Sequence, residues 1–364
     1  MSDIGVVGAG IVGLATAYAA RARGATVTVY ERGVPGNGQS GGDSRIFRHA
    51  HADPRLVALA VEAKEGWRAW EAELGTELLV CDGVVVLGPA AGDRLGVLED
   101  AGIDARLVDD ATDWLPILAP RAAPSAVGSS GAAAGPDAIS GLVDPGGGVI
   151  RTRAAVAALA RSLGEAIVAD EVLAVRLLPS GRVEVRAGGV TVEHDRVVVC
   201  AGRGTPDLAR GAGLDIAVRE SVHVRLTFAL RDGPAPRLAC VLDTEAGAYG
   251  DPLPGNAHYA IGIGDTDQPG LAAEAERTVE YVARRFPGLE PEPVGVRHCW
   301  VTELPWGHDG IGVWEAGGAS FVAGNNLFKH APALGAALAA DTLRVDLRPT
   351  AQFGAGPSRG APRR

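Results

Sequence analysis

The chain has 364 residues, room for one large domain or two to three ordinary ones, and is 47% hydrophobic and 21% charged, the profile of a folded globular protein. Its 44 acidic against 34 basic side chains give a formal charge of −10, which disfavours nucleic acid or anionic lipid as the main partner. The 51 glycines follow no collagen period, and the four cysteines form no CxxC pair or zinc-ribbon spacing. Glycines interrupt the apolar stretch 4–20, no basic segment precedes it, and no other uncharged apolar run approaches the roughly 20 residues of a membrane span. A soluble, cytoplasmic protein is expected.

The first elements carry the strongest local signal. Ile4–Val7 predicts a buried strand, Gly8-Ala9-Gly10-Ile11-Val12-Gly13 a glycine turn, Leu14–Arg23 a helix, and Thr26–Tyr30 a second strand closed by Glu31. Gly8 permits the tight turn, Gly10 leaves room for a pyrophosphate against bare backbone, and Gly13 lets the helix close on the strand. Free N–H groups at the helix start then hold the diphosphate, while Glu31 accepts from ribose hydroxyls and argues against a 2′-phosphate. Ile11, Val12 and Arg32 join this expected FAD- or NAD-binding set.

A glycine-rich loop, Gly33–Asp43, comes where a simple NAD domain would continue with a helix. After it, Arg45, Arg48, His49 and His51 fall within seven residues, interleaved with Ile46 and Phe47. Charges of one sign among apolar residues suit a buried anion site; a solvated turn is the alternative. A metal pair at His49 and His51 is disfavoured, since no further Cys or His motif converges there, and no metal is expected. Asp53 and Pro54 open an amphipathic helix running to Leu74. A strand is expected over Leu79–Gly88, a helix over Ala154–Leu163, strands over Ala166–Val175, Val183–Arg186 and Arg196–Gly202, and a helix over Pro332–Leu343.

The fingerprint followed by Gly42-Asp43-Ser44-Arg45-Ile46-Phe47-Arg48-His49-Ala50-His51 resembles the FAD-dependent amine oxidoreductases of the D-amino-acid oxidase/glycine oxidase superfamily, above all its sarcosine oxidase and N-methyltryptophan oxidase branch. Arg297-His298-Cys299-Trp300-Val301-Thr302 is similar to that branch's flavin-linking cysteine segment, and Phe321–Lys329 to its glycine-rich loop ending in lysine. The resemblance covers nearly the whole chain. It implies an α/β fold with a discontinuous Rossmann-like FAD domain (1–85, 145–215 and 295–345). An α+β substrate domain on a mostly antiparallel sheet (86–144 and 216–294) and a disordered tail (349–364) complete it.

It also implies FAD contacts at Gly42, Ser44, Arg45, Val172, Ala201, Gly202, Gly324, Asn325, Asn326, Leu327, Phe328 and Lys329, with covalent attachment through Cys299. Arg48 and Lys329 would clamp a substrate carboxylate, and Arg45 would lie near the isoalloxazine. The implied reaction oxidises the C–N bond of a carboxylate-bearing secondary amine, amino acid or imino acid to an imine. O2 reoxidises the cofactor and gives H2O2, in a monomer serving a specialised pathway. Cys81, Cys200 and Cys240 are expected as inert packing residues.

The departures from the family pattern matter as much. Ala260 stands where the family has an oxygen-activating lysine, Gly264 and Gly41 where it has histidines, and Gly204 where it has a tryptophan. A register shift of two would bring His258 to the lysine's place as a polar, catalytic substitute. A dehydrogenase with a non-oxygen acceptor and a flavin-binding tailoring enzyme are therefore the alternatives; Arg45, Arg48 and Cys299 disfavour an NAD-dependent dehydrogenase. Trp300, Trp306 and Trp314 either line a pocket for a ring-shaped substrate or pack in the core.

Overall fold

The computed structural model describes residues 2–118, 139–264, 270–306 and 309–341. The expected tail, and the last residues of the expected C-terminal helix, lie outside them. The chain forms two compact units, the first of Met1–Ser40, Val156–Ser221 and Val301–Arg364, the second of Gly41–Ala155 and Val222–Trp300.

Unit 1 is built on a six-stranded sheet in the order Ile311–Ala316, Ala319–Gly324, Arg196–Val199, Asp3–Val7, Thr26–Glu31, Ile167–Ala169. Only the first pair is antiparallel; the rest run parallel. Such strands are covered on both faces, which explains why Ile4, Val6, Val7 and Val197–Val199 are all apolar and buried. The helix Ile11–Ala22 lies against the helix Ala331–Ala340, where a Cβ on Gly335 would stand 2.6 Å from the Ala15 backbone. On the core built around Val7, Tyr30, Val197 and Phe321 sits a three-stranded antiparallel sheet, Val172–Leu177, Val183–Ala187 and Val190–His194. The single strand expected over Ala166–Val175 is thus two strands in two sheets. Asp170 interrupts it, donating its N–H to Glu31 O and accepting the Glu171 N–H on its own side chain.

Unit 2 is built on an eight-stranded sheet in the order Leu289–Glu303, Arg219–Leu230, His258–Ile263, Ala248–Pro252, Cys240–Asp243, Val84–Leu87, Gly141–Asp144, Arg106–Val108. From Arg219–Leu230 onward every pairing is antiparallel except Cys240–Asp243 with Val84–Leu87. Strand alternation sends Val224, Leu226, Phe228, Tyr259 and Ile261 into a core shared with Tyr281, Val282 and Phe286. The same alternation turns Arg225, Thr227, Ala260, Tyr249 and Asp251 to the opposite face. The expected strand Leu79–Gly88 is broken in two at Gly83, whose φ of +101° no β-branched residue would hold. Leu79–Val80 joins Gly148–Arg151 and Ser44–Phe47 in a small sheet. Segments 41–85 and 145–155, expected with the cofactor domain, lie in unit 2.

Candidate active site

In unit 1 the turn after the first strand has the geometry its glycines anticipate. Gly8 adopts φ +97°, and a Cβ there would sit 2.5 Å from the Cys200 carbonyl oxygen; one on Gly13 would sit 1.9 Å from the Gly8 carbonyl oxygen. Gly10 is different. A Cβ there would approach only Ser40 Oγ, at 3.2 Å, so its missing side chain leaves open space rather than relieving a clash. Ser40 Oγ accepts the Ile11 N–H at 2.9 Å. Leu14 N is the first to bond back, to Gly10 O, so the Val12 and Gly13 N–H groups lie in the orphan first turn, directed along the helix axis. The Glu31 carboxylate is pinned by N–H groups from Ala9 (2.8 Å) and Gly33 (2.9 Å), and each oxygen keeps a lone pair for a ribose hydroxyl. The bare Gly10 backbone, free helix N–H groups and Glu31 together fit the diphosphate and ribose of FAD.

The remaining expected contacts in unit 1 occupy several places. Arg32 pairs with Glu171 at 3.2 Å on the surface. Val172 starts its strand beside a bulge opposite Ala187. Ala201 and Gly202 open a short turn in which Gly202 has φ +56° and faces Gln39, whose amide donates to Thr302 Oγ1 at 2.9 Å. Burial pushes the Cys200 thiol up to about 12, which keeps it protonated at neutral pH. The loop Gly324–Lys329 folds back on Gly310 and Asp309. Asn325 N donates to Gly310 O at 3.2 Å, Asn326 Nδ2 donates to Asp309 Oδ1 at 2.5 Å, and the buried Lys329 Nζ stands 3.7 Å from that same oxygen. Leu327 and Phe328 begin the turn that carries Lys329. Trp306 and Trp314 lie against each other with ring centroids 6.2 Å apart, while Trp300 belongs to unit 2 and is exposed.

Unit 2 carries a separate cluster of charge. Arg45 donates to the Ser44 and Gly41 carbonyls at 2.9 and 2.7 Å, and a Cβ on Gly42 (φ +127°) would meet its Nη1 at 2.6 Å. Arg225 is buried and joined to the buried Asp251 carboxylate, and it also donates to Ser44 O at 3.3 Å. Burial works against the Arg225 charge, but Asp251 together with Tyr249, Cys299 and Cys240 outweighs it and holds its pKa above the usual value. Arg45 goes the other way: burial lowers it, and Arg225 and Arg297 add to the fall. Cys299, half-buried in the strand Leu289–Glu303, interacts with Arg45, Arg225 and Tyr249. Burial pushes the Tyr249 hydroxyl up to about 12, leaving it a neutral donor.

Not all of the basic segment joins this cluster. His49 is committed to Asp144: its backbone N–H donates to Oδ2 at 2.7 Å and its Nδ1 lies 3.0 Å from Oδ1. It is a buried structural tie. Arg48 follows the strand Ser44–Phe47 and is half-buried in unit 2, whereas Lys329 belongs to unit 1. Ala260 pairs with Thr227 and Asp251, which puts it on the cluster's face of the sheet. His258 pairs with Ala229, four residues along the strand from Gly262, the partner of Arg225; that is about 13 Å at strand spacing. Arg225 and Asp251 were not among the expected site residues. The available signal was an arginine in the otherwise apolar alternation Val224–Phe228.

Comparison with known proteins agrees with this architecture. The family model described as FAD dependent oxidoreductase matches residues 3–341. The human peroxisomal sarcosine oxidase is 25% identical over 340 residues, covering 83% of this chain and 81% of its own. Among solved structures, L-proline dehydrogenase from P. horikoshii superposes with a TM-score of 0.78 at 19% identity, covering 95% of each chain. NikD, an unusual amino acid oxidase essential for nikkomycin biosynthesis, gives 0.76 at 19% identity over 94% of this chain and 95% of its own. Glycine oxidase from Geobacillus kaustophilus gives 0.74 at 21% over 99% and 100%. The protein belongs to the FAD-dependent oxidoreductase family.

Proposed function

We propose that the protein oxidises the C–N bond of a small carboxylate-bearing amine or amino acid to an imine, with O2 as acceptor. The observation that carries this reading is the cationic face of unit 2, Arg45 and Arg225 beside Cys299, in a chain whose unit 1 has a cradle fitted to FAD. Bound FAD supplies the two-electron acceptor that no amino-acid side chain can provide. Gly10, the first turn of its helix and Glu31 hold the diphosphate and ribose; Cys299 is the proposed covalent attachment point. The Arg45 guanidinium favours negative charge nearby, more strongly for being poorly hydrated. Arg48 and Lys329 are the proposed cations for the substrate carboxylate, Arg48 by a bidentate fork and Lys329 as a point charge.

The test is acid precipitation of purified protein. Yellow colour is expected to stay in the pellet and to move to the supernatant in Cys299→Ala. A colourless protein that takes up no FAD overturns the reading. The small residue Ala260 on the cluster's face favours a second reading, a dehydrogenase that passes electrons to an acceptor other than O2. Rapid mixing of the reduced enzyme with air separates the two, since slow reoxidation selects the dehydrogenase.

A further inference from the structure

Arg297 has no role in the reading above. It lies on the strand Leu289–Glu303, where Gly295, Arg297 and Cys299 are half-buried while Val294 and Val296, 61% and 64% exposed, point the other way. Alternation therefore puts Arg297 on the same face as Cys299. The bare Cα of Gly42 marks where it meets Arg45: a Cβ there would be 2.6 Å from Arg45 Nη1 and 3.6 Å from Arg297 Nε. Two guanidinium groups thus converge on one glycine. Arg45 interacts electrostatically with Arg225, Asp251 and Arg297, and the Asp251 carboxylate is already joined to Arg225. Among the described residues Arg297 makes no hydrogen bond or ion pair.

A half-buried arginine set against another arginine is repelled by it and has lost part of its hydration. No protein group in the described residues repays that loss. A bound anion would, since a guanidinium takes a carboxylate through two parallel N–H donors. We infer that Arg297 is an anion-binding residue that fits this protein to a substrate with a second carboxylate, an amine dicarboxylate. This rests on the proposed amine oxidation, deepening it by naming the substrate class. Arg48 and Lys329 remain the proposed holders of the carboxylate beside the reacting carbon.

Two N-substituted glycines serve as probes, N-(carboxymethyl)glycine and N-methylglycine, of which only the first has a second carboxylate. The holoenzyme is expected to show the higher kcat/KM on the dicarboxylate. In Arg297→Gln the ratio of the two kcat/KM values falls roughly ten- to a hundredfold, the range of a hydrogen bond to a charged group. Arg297→Lys, which keeps the charge and loses the fork, recovers part of it. A binding measurement without turnover accompanies this: glutarate raises the melting temperature of the wild type more than butyrate does, and Arg297→Gln abolishes the difference.

A probe ratio in Arg297→Gln within about twofold of wild type overturns the inference. So does a shift in the flavin's reduction potential with the ratio preserved, which would assign Arg297 to the cofactor. The two proposals fail separately. Absence of FAD uptake defeats the oxidation reading, whereas an equal response to glutarate and butyrate defeats the role of Arg297.

Discussion

In unit 1 the proposed cofactor cradle is made of backbone. Gly8, Gly10 and Gly13 act through what they lack, and the one side chain that matters, Glu31, is fixed by two N–H groups close in sequence to itself and the turn. In unit 2 the cationic cluster is made of side chains from four separate segments, around Arg45, Arg225, Tyr249–Asp251 and Arg297–Cys299. A backbone site fails when an atom is added, and a side-chain site fails when one is removed. The first is a matter of space; the second is a matter of compensating charge.

The largest effect is expected from removing one charge. Asp251→Ala leaves Arg225 buried without its carboxylate and is expected to cost about 3–5 kcal/mol, measured by denaturant unfolding. A loss below about 1 kcal/mol would break the comparison, because the surrounding sheet would then be holding Arg225 unaided. Next comes Gly13→Ala, which forces a methyl group against the Gly8 carbonyl. It is expected to cost about 1–3 kcal/mol and to lower the flavin-to-protein absorbance ratio. If the ratio stays at the wild-type value, the close approach at this turn is not what shapes the cradle.

The smallest effect concerns pH. Burial pushes the Asp144 carboxyl up, but the hydrogen bonds and charge of His49, with Lys64, together outweigh it and hold the group below the ordinary carboxylate range. A depressed carboxyl contributes stability above its unfolded pKa of about 3.9 and loses it as pH falls through the lower folded value. Melting temperature is therefore expected to drop below about pH 4, with a shallower drop in Asp144→Asn. An unchanged acid profile would show that other carboxylates set it.

The contrast also explains what could be read from the chain alone. The strand, turn, helix, strand and acid of residues 3–31 are contiguous, so spacing exposes them before any fold is known. The basic segment 45–51 was legible as a cluster, yet its members separate: Arg45 faces the other arginines, and His49 turns to Asp144, 95 residues away. Asp251 carries no local signal of its own, and Arg297 was visible only as a neighbour of Cys299. Nothing in their local sequence says which strands lie beside them.

By itself the sequence determined the family and most of the element types and pointed to the proposed cofactor cradle, because these depend on local spacing and on glycines whose backbone needs act over a few residues. The tertiary structure alone decided that the segment 41–85 packs with unit 2, that Arg225 is joined to Asp251, and that Arg297 comes up against Arg45. The physical reason is range. Steric and hydrogen-bonding demands of a turn are met within the turn, whereas a buried charge is compensated by whichever distant strand the sheet order places beside it.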